Sequence, residues 1–198
     1  IISDKEIRAN RPEPIVSNLD VVSYNRQMNP KIAVDALYEG YFVLIVDFYS
    51  SGLLVLNQLK KDIKYKQSKK RLESNETDKS DQSFQEQRDY RSKFRELSHR
   101  LLLVISEQKL NVKKAPEIGW FKILYPELSE FLLPFPQVQG FNSAWQWYKN
   151  GITIPVLRNK LHPYYGTYFP TRFEHLVVFD NWLKRYIGPK KSAIDVGV

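Results

Sequence analysis

Apolar residues recur along most of this chain at helical spacing, and the repeat predicts where it folds. Asn29-Pro30 suits the cap and first position of a helix, Ile32, Val34, Leu37 and Tyr38 supply its apolar face, and Gly40 ends it. Phe42, Ile45, Val46, Tyr49, Leu53, Leu56, Leu59 and Ile63 keep a three-and-four spacing through Gly52, which predicts a second, core helix. Residues 68–83 have Leu72 as their single apolar residue among Lys, Ser, Glu and Asp, and read as a mobile loop. Ser83 and Glu86 stand at capping-box spacing, and from Phe84 the residues Phe94, Leu97, Leu101, Val104 and Ile105 mark one side of a long helix. Residues 1–29 hold few periodic apolar positions, and Arg11-Pro12-Glu13-Pro14 favours an extended segment lying along the surface.

After Leu110 the pattern changes, with prolines at 116, 126, 134, 136, 155, 163 and 170. Short helices are predicted over Ala115 to Leu124 and Asn142 to Lys149, with a turn at Pro126 to Phe131 between them. Ile152 to Leu157 and Leu161 to Phe169 read as two strands of a hairpin around Arg158-Asn159-Lys160. Thr171 and Glu174 form a second capping box ahead of Leu176, Val177, Phe179, Trp182, Leu183 and Tyr186. That helix carries Lys184 and Arg185 near its end and stops at Gly188-Pro189. Ser192 to Val198 is small and β-branched, and Asp195-Val196-Gly197 has the form of a first parallel strand running into a glycine-rich turn.

The order helix, Gly-Pro break, Lys-Lys-Ser-Ala-Ile-Asp-Val-Gly resembles the entry to a class I S-adenosylmethionine-dependent methyltransferase. The segment Tyr168-Phe-Pro-Thr-Arg-Phe-Glu-His-Leu176 is similar to the Pro-Arg-Pro-x-Thr-Glu-x-Leu segment of the HemK-type glutamine methyltransferases and their relatives, departing from it in Pro-Thr-Arg for Pro-Arg-Pro. The resemblance implies that Asp195 and Gly197 open the loop that holds S-adenosylmethionine, and that Phe169, Pro170, Thr171 and Arg172 line its side. The further glycines, the acidic ribose ligand and the Asn-Pro-Pro-Tyr type motif do not occur in these residues, so the resemblance implies an enzyme in the full-length protein and no activity or cofactor binding in this stretch alone. The expected fold is α+β. A mainly helical domain at residues 1–150 selects the substrate, a β-hairpin links at 151–170, and 171–198 form the first helix and strand of a truncated Rossmann-like α/β domain.

Composition narrows the function classes. The chain of 198 residues has no cysteine, which removes disulfides, zinc ribbons and thiol catalysis together. No run approaches the ~18 consecutive apolar residues of a membrane helix, and no signal peptide is visible, so a cytoplasmic soluble protein is expected. The formal net charge is +8, and Lys60, Lys61, Lys64, Lys66, Lys69, Lys70 and Arg71 sit together. Such a cluster is either a footprint for phosphate or the solvated end of a helix. Arg88, Arg91, Lys93, Arg95, His99 and Arg100 crowd the next helix, with the same two readings, and His99 has Leu103 rather than a metal ligand at i+4. There is no spaced carboxylate pair, nucleophile elbow or phosphate loop, which removes the hydrolase and kinase readings.

Two stretches are candidates for recognition. Gln137, Gln139 and Asn142 offer amides that donate and accept beside the flat face of Trp145, a combination that reads a base or a side-chain amide, or else holds an irregular core segment together. In the loop before the second capping box, the resemblance implies that His162, Tyr164 and Tyr165 approach the methyl donor and orient a substrate. The expected partner is a macromolecular methyl acceptor, protein or nucleic acid. The competing expectation is a non-enzymatic basic helical module that binds nucleic acid or an acidic protein.

Overall fold

A computed structural model describes residues 11–16, 19–74, 81–167 and 172–189, and the chain divides into two compact units, 1–145 and 146–198. The fold is α+β, with helices and a mixed sheet of five strands among the described residues.

In the first unit, β1 (Val21–Tyr24), β2 (Phe42–Ile45) and β3 (Leu101–Ser106) run parallel in that order, with Val21 opposite Phe42 and Val43 opposite Leu101. β4 (Lys109–Leu110) folds back on the end of β3, and β5 (Glu130–Pro134) lies antiparallel to β3. Leu102 pairs with both Leu44 and Pro134, and Ile105 with both Leu110 and Phe131. One edge of β3 is therefore shared by β2 and β4, and the other belongs to β5. Leu101, Leu102, Leu103 and Ile105 are all fully buried, as a central strand covered on both faces requires. The expectation of a mainly helical domain omits this sheet.

The omission has a physical cause. A continuous apolar run fits a buried strand as well as one side of a helix, so Phe42–Ile45 and Leu101–Ser106 were absorbed into helical repeats. Helix α1 (Pro30–Glu39) forms as its caps dictate: Asn29 Oδ1 accepts from the Lys31 N–H at 2.9 Å, and Gly40 ends the helix at a φ of 97°. It buries Ala33, Val34, Ala36 and Leu37, while Ile32, expected on that face, is exposed. α2 spans Tyr49–Ser74 and α3 Asp81–Ser98, so the loop expected at 68–83 is helical at both of its described ends. Polar composition alone does not make a loop, because Lys, Arg, Glu, Gln and Leu are strong helix formers. α2 buries Val55, Leu56, Leu59 and Ile63, and α3 stops at Ser98 rather than continuing to Ile105.

α4 (Trp120–Leu124) is shorter than the helix expected from Ala115, and the turn expected to reach Phe131 gives way to β5 at Glu130. Phe121, Tyr125, Phe131 and Phe141 form an aromatic core, with Tyr125 and Phe131 ring centres 4.6 Å apart. The extended N-terminal segment is strapped onto this core. Ile15 and Leu132 exchange both backbone hydrogen bonds, the Tyr125 hydroxyl donates to Pro12 O at 2.7 Å, and Arg11 lies over the Tyr125 ring and bonds Leu124 O and Glu127.

α5 (Phe135–Asn150) begins seven residues ahead of the helix expected at Asn142, and the division between units falls within it. In the second unit the expected hairpin reduces to a single antiparallel bridge, Ile152 with Leu161. Pro155 and Pro163 have no N–H to extend a ladder, so pairing stops there. α6 (Glu174–Arg185) starts at Glu174 with Phe173 in the cap position, and Asp180 pairs with Lys184 on it. Thr171 of the expected capping box and the strand expected at 192–198 lie outside the described residues.

Candidate functional site

In a parallel sheet the loops leaving the carboxyl ends of the strands form the natural crevice for a ligand. Here β1 runs into Asn25-Arg26 and β2 into Asp47-Phe48. The Arg26 N–H donates to Asp47 Oδ2 at 2.8 Å and the Lys113 N–H to Asp47 O at 2.7 Å. Tyr49, which opens α2, donates its N–H to Lys113 O, so Phe48 and Lys113 lie side by side as a parallel bridge. The Arg26 guanidinium sits 4.9 Å and the Lys113 ammonium 5.7 Å from the centre of the Phe48 ring. A half-buried carboxylate and an aromatic ring are thus flanked by two exposed cations, an arrangement suited to a planar or anionic group.

Burial by itself raises Asp47. Hydrogen bonds from the Arg26 backbone, from the Ser51 side chain and from the N–H groups of Phe48 and Asp47 outweigh it and hold the carboxyl below the usual carboxylate range. Burial and then the Asp47 charge push the Tyr24 hydroxyl up. Asp47 and its neighbours were not singled out by sequence reasoning. The available signal was an apolar run ending in Asp, hidden because that run was read as helix.

Beyond β3 a groove of about 700 Å³ is lined by residues 107–110, 112, 114–119 and 122. Its wall contains backbone that side chains rarely adopt: Glu107 (φ 49°) and Gln108 (φ 64°) make the two-residue turn between β3 and β4, and Lys114 has φ 52°. The lining combines Lys109, Lys114 and Lys122 with Glu107 and Glu117 and with the apolar Leu110, Val112 and Ile118. The lining contains no Ser, Cys or His, so it offers recognition by charge rather than a nucleophile and base. No group of three or more metal-binding side chains occurs among the described residues.

The residues expected from the sequence fall in several places. Gln137, Gln139, Asn142 and Trp145 are on the first-unit part of α5, a helix rather than an irregular segment. The helical repeat puts Gln139 and Asn142 on one side and Gln137 on the other, so the three amides do not converge. The side-chain oxygens of Gln137 and Asn142 are each buried with no hydrogen-bond partner among the described residues. Trp145 meets Trp120 edge-on with ring centres 5.4 Å apart, and a Cβ added at Gly119 would enter its ring. That close fit is a packing arrangement.

In the second unit His162 and Tyr164 do come together, around Tyr148. Tyr164 meets the Tyr148 ring edge-on at 5.7 Å, and His162 Nδ1 lies 2.6 Å from Tyr148 O, as a donor to the end of α5. Lys160 Nζ donates to Asn150 O at 3.2 Å beside it, and Gly151, at a φ of 71°, leaves room for the His162 ring. Both side chains therefore finish the helix, satisfying carbonyls that lack intrahelical partners. Tyr165 is half-buried, which raises its hydroxyl. Arg172 is exposed just before α6, while Phe169, Pro170, Thr171, Asp195 and Gly197 lie outside the described residues.

No protein-family model matches this chain, and neither a curated protein nor a solved structure matches it. No helix among the described residues is long and apolar enough to cross a membrane.

Proposed function

We propose that this chain is the N-terminal region of a class I S-adenosylmethionine-dependent methyltransferase that acts on a macromolecule in the cytoplasm, with residues 171–198 opening a Rossmann-like cofactor domain. The observation that carries the reading is the state of α6. None of its residues is buried, and Val178, Phe179, Trp182 and Leu183, with Tyr186 at the cap position, form a continuous exposed apolar stripe in which Phe179 stacks on Trp182 and Trp182 meets Tyr186 at a tilt. An amphipathic helix is stable when its apolar stripe is covered by another element, and in a doubly wound fold that cover is a parallel sheet. The chain leads from this helix directly into Ala193-Ile194-Asp195-Val196-Gly197, the residues that resemble the first strand of such a sheet.

The bound cofactor would supply a methyl group activated on sulfonium. Of the residues the resemblance assigns to it, Arg172 alone is described; it is exposed and free to form one wall. Positioning of the acceptor falls to the first unit.

Two measurements test the reading. The coding sequence after Val198 should supply a Gly-x-Gly within the next few codons. In titration calorimetry the protein carrying that continuation should bind S-adenosylmethionine while the 198-residue chain releases no heat. Absence of the glycines, or a continued protein that does not bind, overturns the assignment.

A further inference from the structure

The lysine cluster seen in the sequence takes a definite form on the first unit. One side of α2 is buried through Val55, Leu56, Leu59 and Ile63, and the helical repeat carries Lys61 and Lys64 onto the far side and Lys60 onto its flank, where all three are exposed. The next helix does the same: Arg88, Arg91 and Arg95, at spacings of three and four, are exposed along one stripe of α3. α2 and α3 pack together, and Lys60 Nζ lies 5.5 Å from the centre of the Phe94 ring, which puts Lys60 at the seam between the helices.

These six cations have no carboxylate within ion-pair distance among the described residues. Asp62 pairs with Lys66, and Glu96 pairs with Lys93 and Arg100. Like charges gathered on successive turns of two packed helices repel one another until a polyanion compensates them. The stripe from Arg88 to Arg95 rises about 10 Å along α3, enough to meet roughly three successive phosphates of one strand. Two exposed rings border the cations, Tyr65 at 69% and Phe84 at 73% exposure. An apolar ring gains little from an acidic peptide, whereas a base or sugar provides a flat face to cover it.

We propose that this two-helix face is a nucleic-acid binding surface, reading the phosphate backbone through Lys60, Lys61, Lys64, Arg88, Arg91 and Arg95, with Tyr65 and Phe84 against bases or sugars at its margins. It rests on the methyltransferase reading only in that it names the substrate class for that enzyme. The binding is a property of the 198-residue chain without cofactor, so its failure and the failure of cofactor binding are read in separate experiments.

The test is fluorescence anisotropy with labelled duplex RNA, duplex DNA and single-stranded RNA across a salt series. Polyglutamate of matched charge serves as competitor, and circular dichroism checks that each variant is folded. Lys60→Gln/Lys61→Gln/Lys64→Gln and Arg88→Gln/Arg91→Gln/Arg95→Gln should each weaken binding at low salt at least ~tenfold and flatten the logarithmic salt slope by about 2 to 3. Lys31→Gln/Lys149→Gln/Arg158→Gln removes the same charge elsewhere and should leave the slope unchanged. Negligible binding to all three nucleic acids, polyglutamate competing as well as RNA, or the control variant losing as much as the other two would overturn the proposal. The three nucleic-acid arms identify which form the face prefers.

Discussion

Replacing Gly52 by Ala should destabilise this protein even though the same change usually stabilises a helix. Gly52 lies inside α2, where Ala is favoured over Gly by about 1 kcal/mol. The opposing term comes from across the core. A Cβ at this position would fall inside the contact distance of three atoms of the Phe135 ring. That ring cannot yield into solvent, since Phe135 is fully buried and stacks on Tyr49 with centres 4.9 Å apart. Overpacking of a closed core costs about 1–3 kcal/mol, and an overlap on three ring atoms belongs at the top of that range. The net expectation is a loss of about 2 kcal/mol for Gly52→Ala. In a Phe135→Leu background the obstruction is gone and the helix term should emerge alone, so Gly52→Ala becomes stabilising by up to about 1 kcal/mol. The two effects differ by about 3 kcal/mol, which is the coupling a double-mutant cycle reads. Urea unfolding followed by tryptophan fluorescence measures all four corners. A stabilised single variant, or the same effect in both backgrounds, would refute the close approach of α2 to Phe135.

Two more predictions follow from the same geometry. Gly119→Ala should cost about 1–3 kcal/mol while Trp145 is present and little in Trp145→Phe, because the obstruction is the indole ring itself; an equal cost in both variants would show that Trp145 is not packed on Gly119. Tyr38 has its hydroxyl pushed up to about 12 by burial, then by the Asp62 charge and a hydrogen bond to that carboxylate. A raised value means that its contribution to stability is complete below the ordinary tyrosine value near 10 and is lost as pH rises through about 12. Ultraviolet phenolate titration should show one fewer late-titrating group in Tyr38→Phe, and an unchanged late phase would show that Tyr38 is not held by Asp62.

The parts of this protein that were legible in its sequence are those governed by neighbours along the chain. Asn29-Pro30 and Gly40 bound α1 because capping is a local exchange of hydrogen bonds, and Arg11 to Pro14 is extended because proline restricts its own backbone and the residue before it. The periodic faces of α2 and α6 were visible for the same reason. The sheet was not. Leu101, Val104 and Ile105 continue the helical repeat of Leu97 as well as they fit a strand, and the choice was made by β2 and β5 lying on the two edges of β3.

The candidate site divides in the same way. His162 and Tyr164 were singled out for their chemistry, but their placement depends on Tyr148 and the end of α5, many residues away along the chain. Asp47, Arg26 and Lys113 are far apart in sequence: parallel pairing brings the exits of β1 and β2 together, and the chain returning after the antiparallel β4 adds Lys113 through backbone hydrogen bonds to Asp47 and Tyr49. What the sequence determined alone was residue type, local caps, helical periodicity and net charge, all set by interactions spanning a few residues. Which apolar runs became strands, which cations share a face and which aromatic rings fill the core were decided by long-range pairing, because those energies exist only once distant segments are in contact.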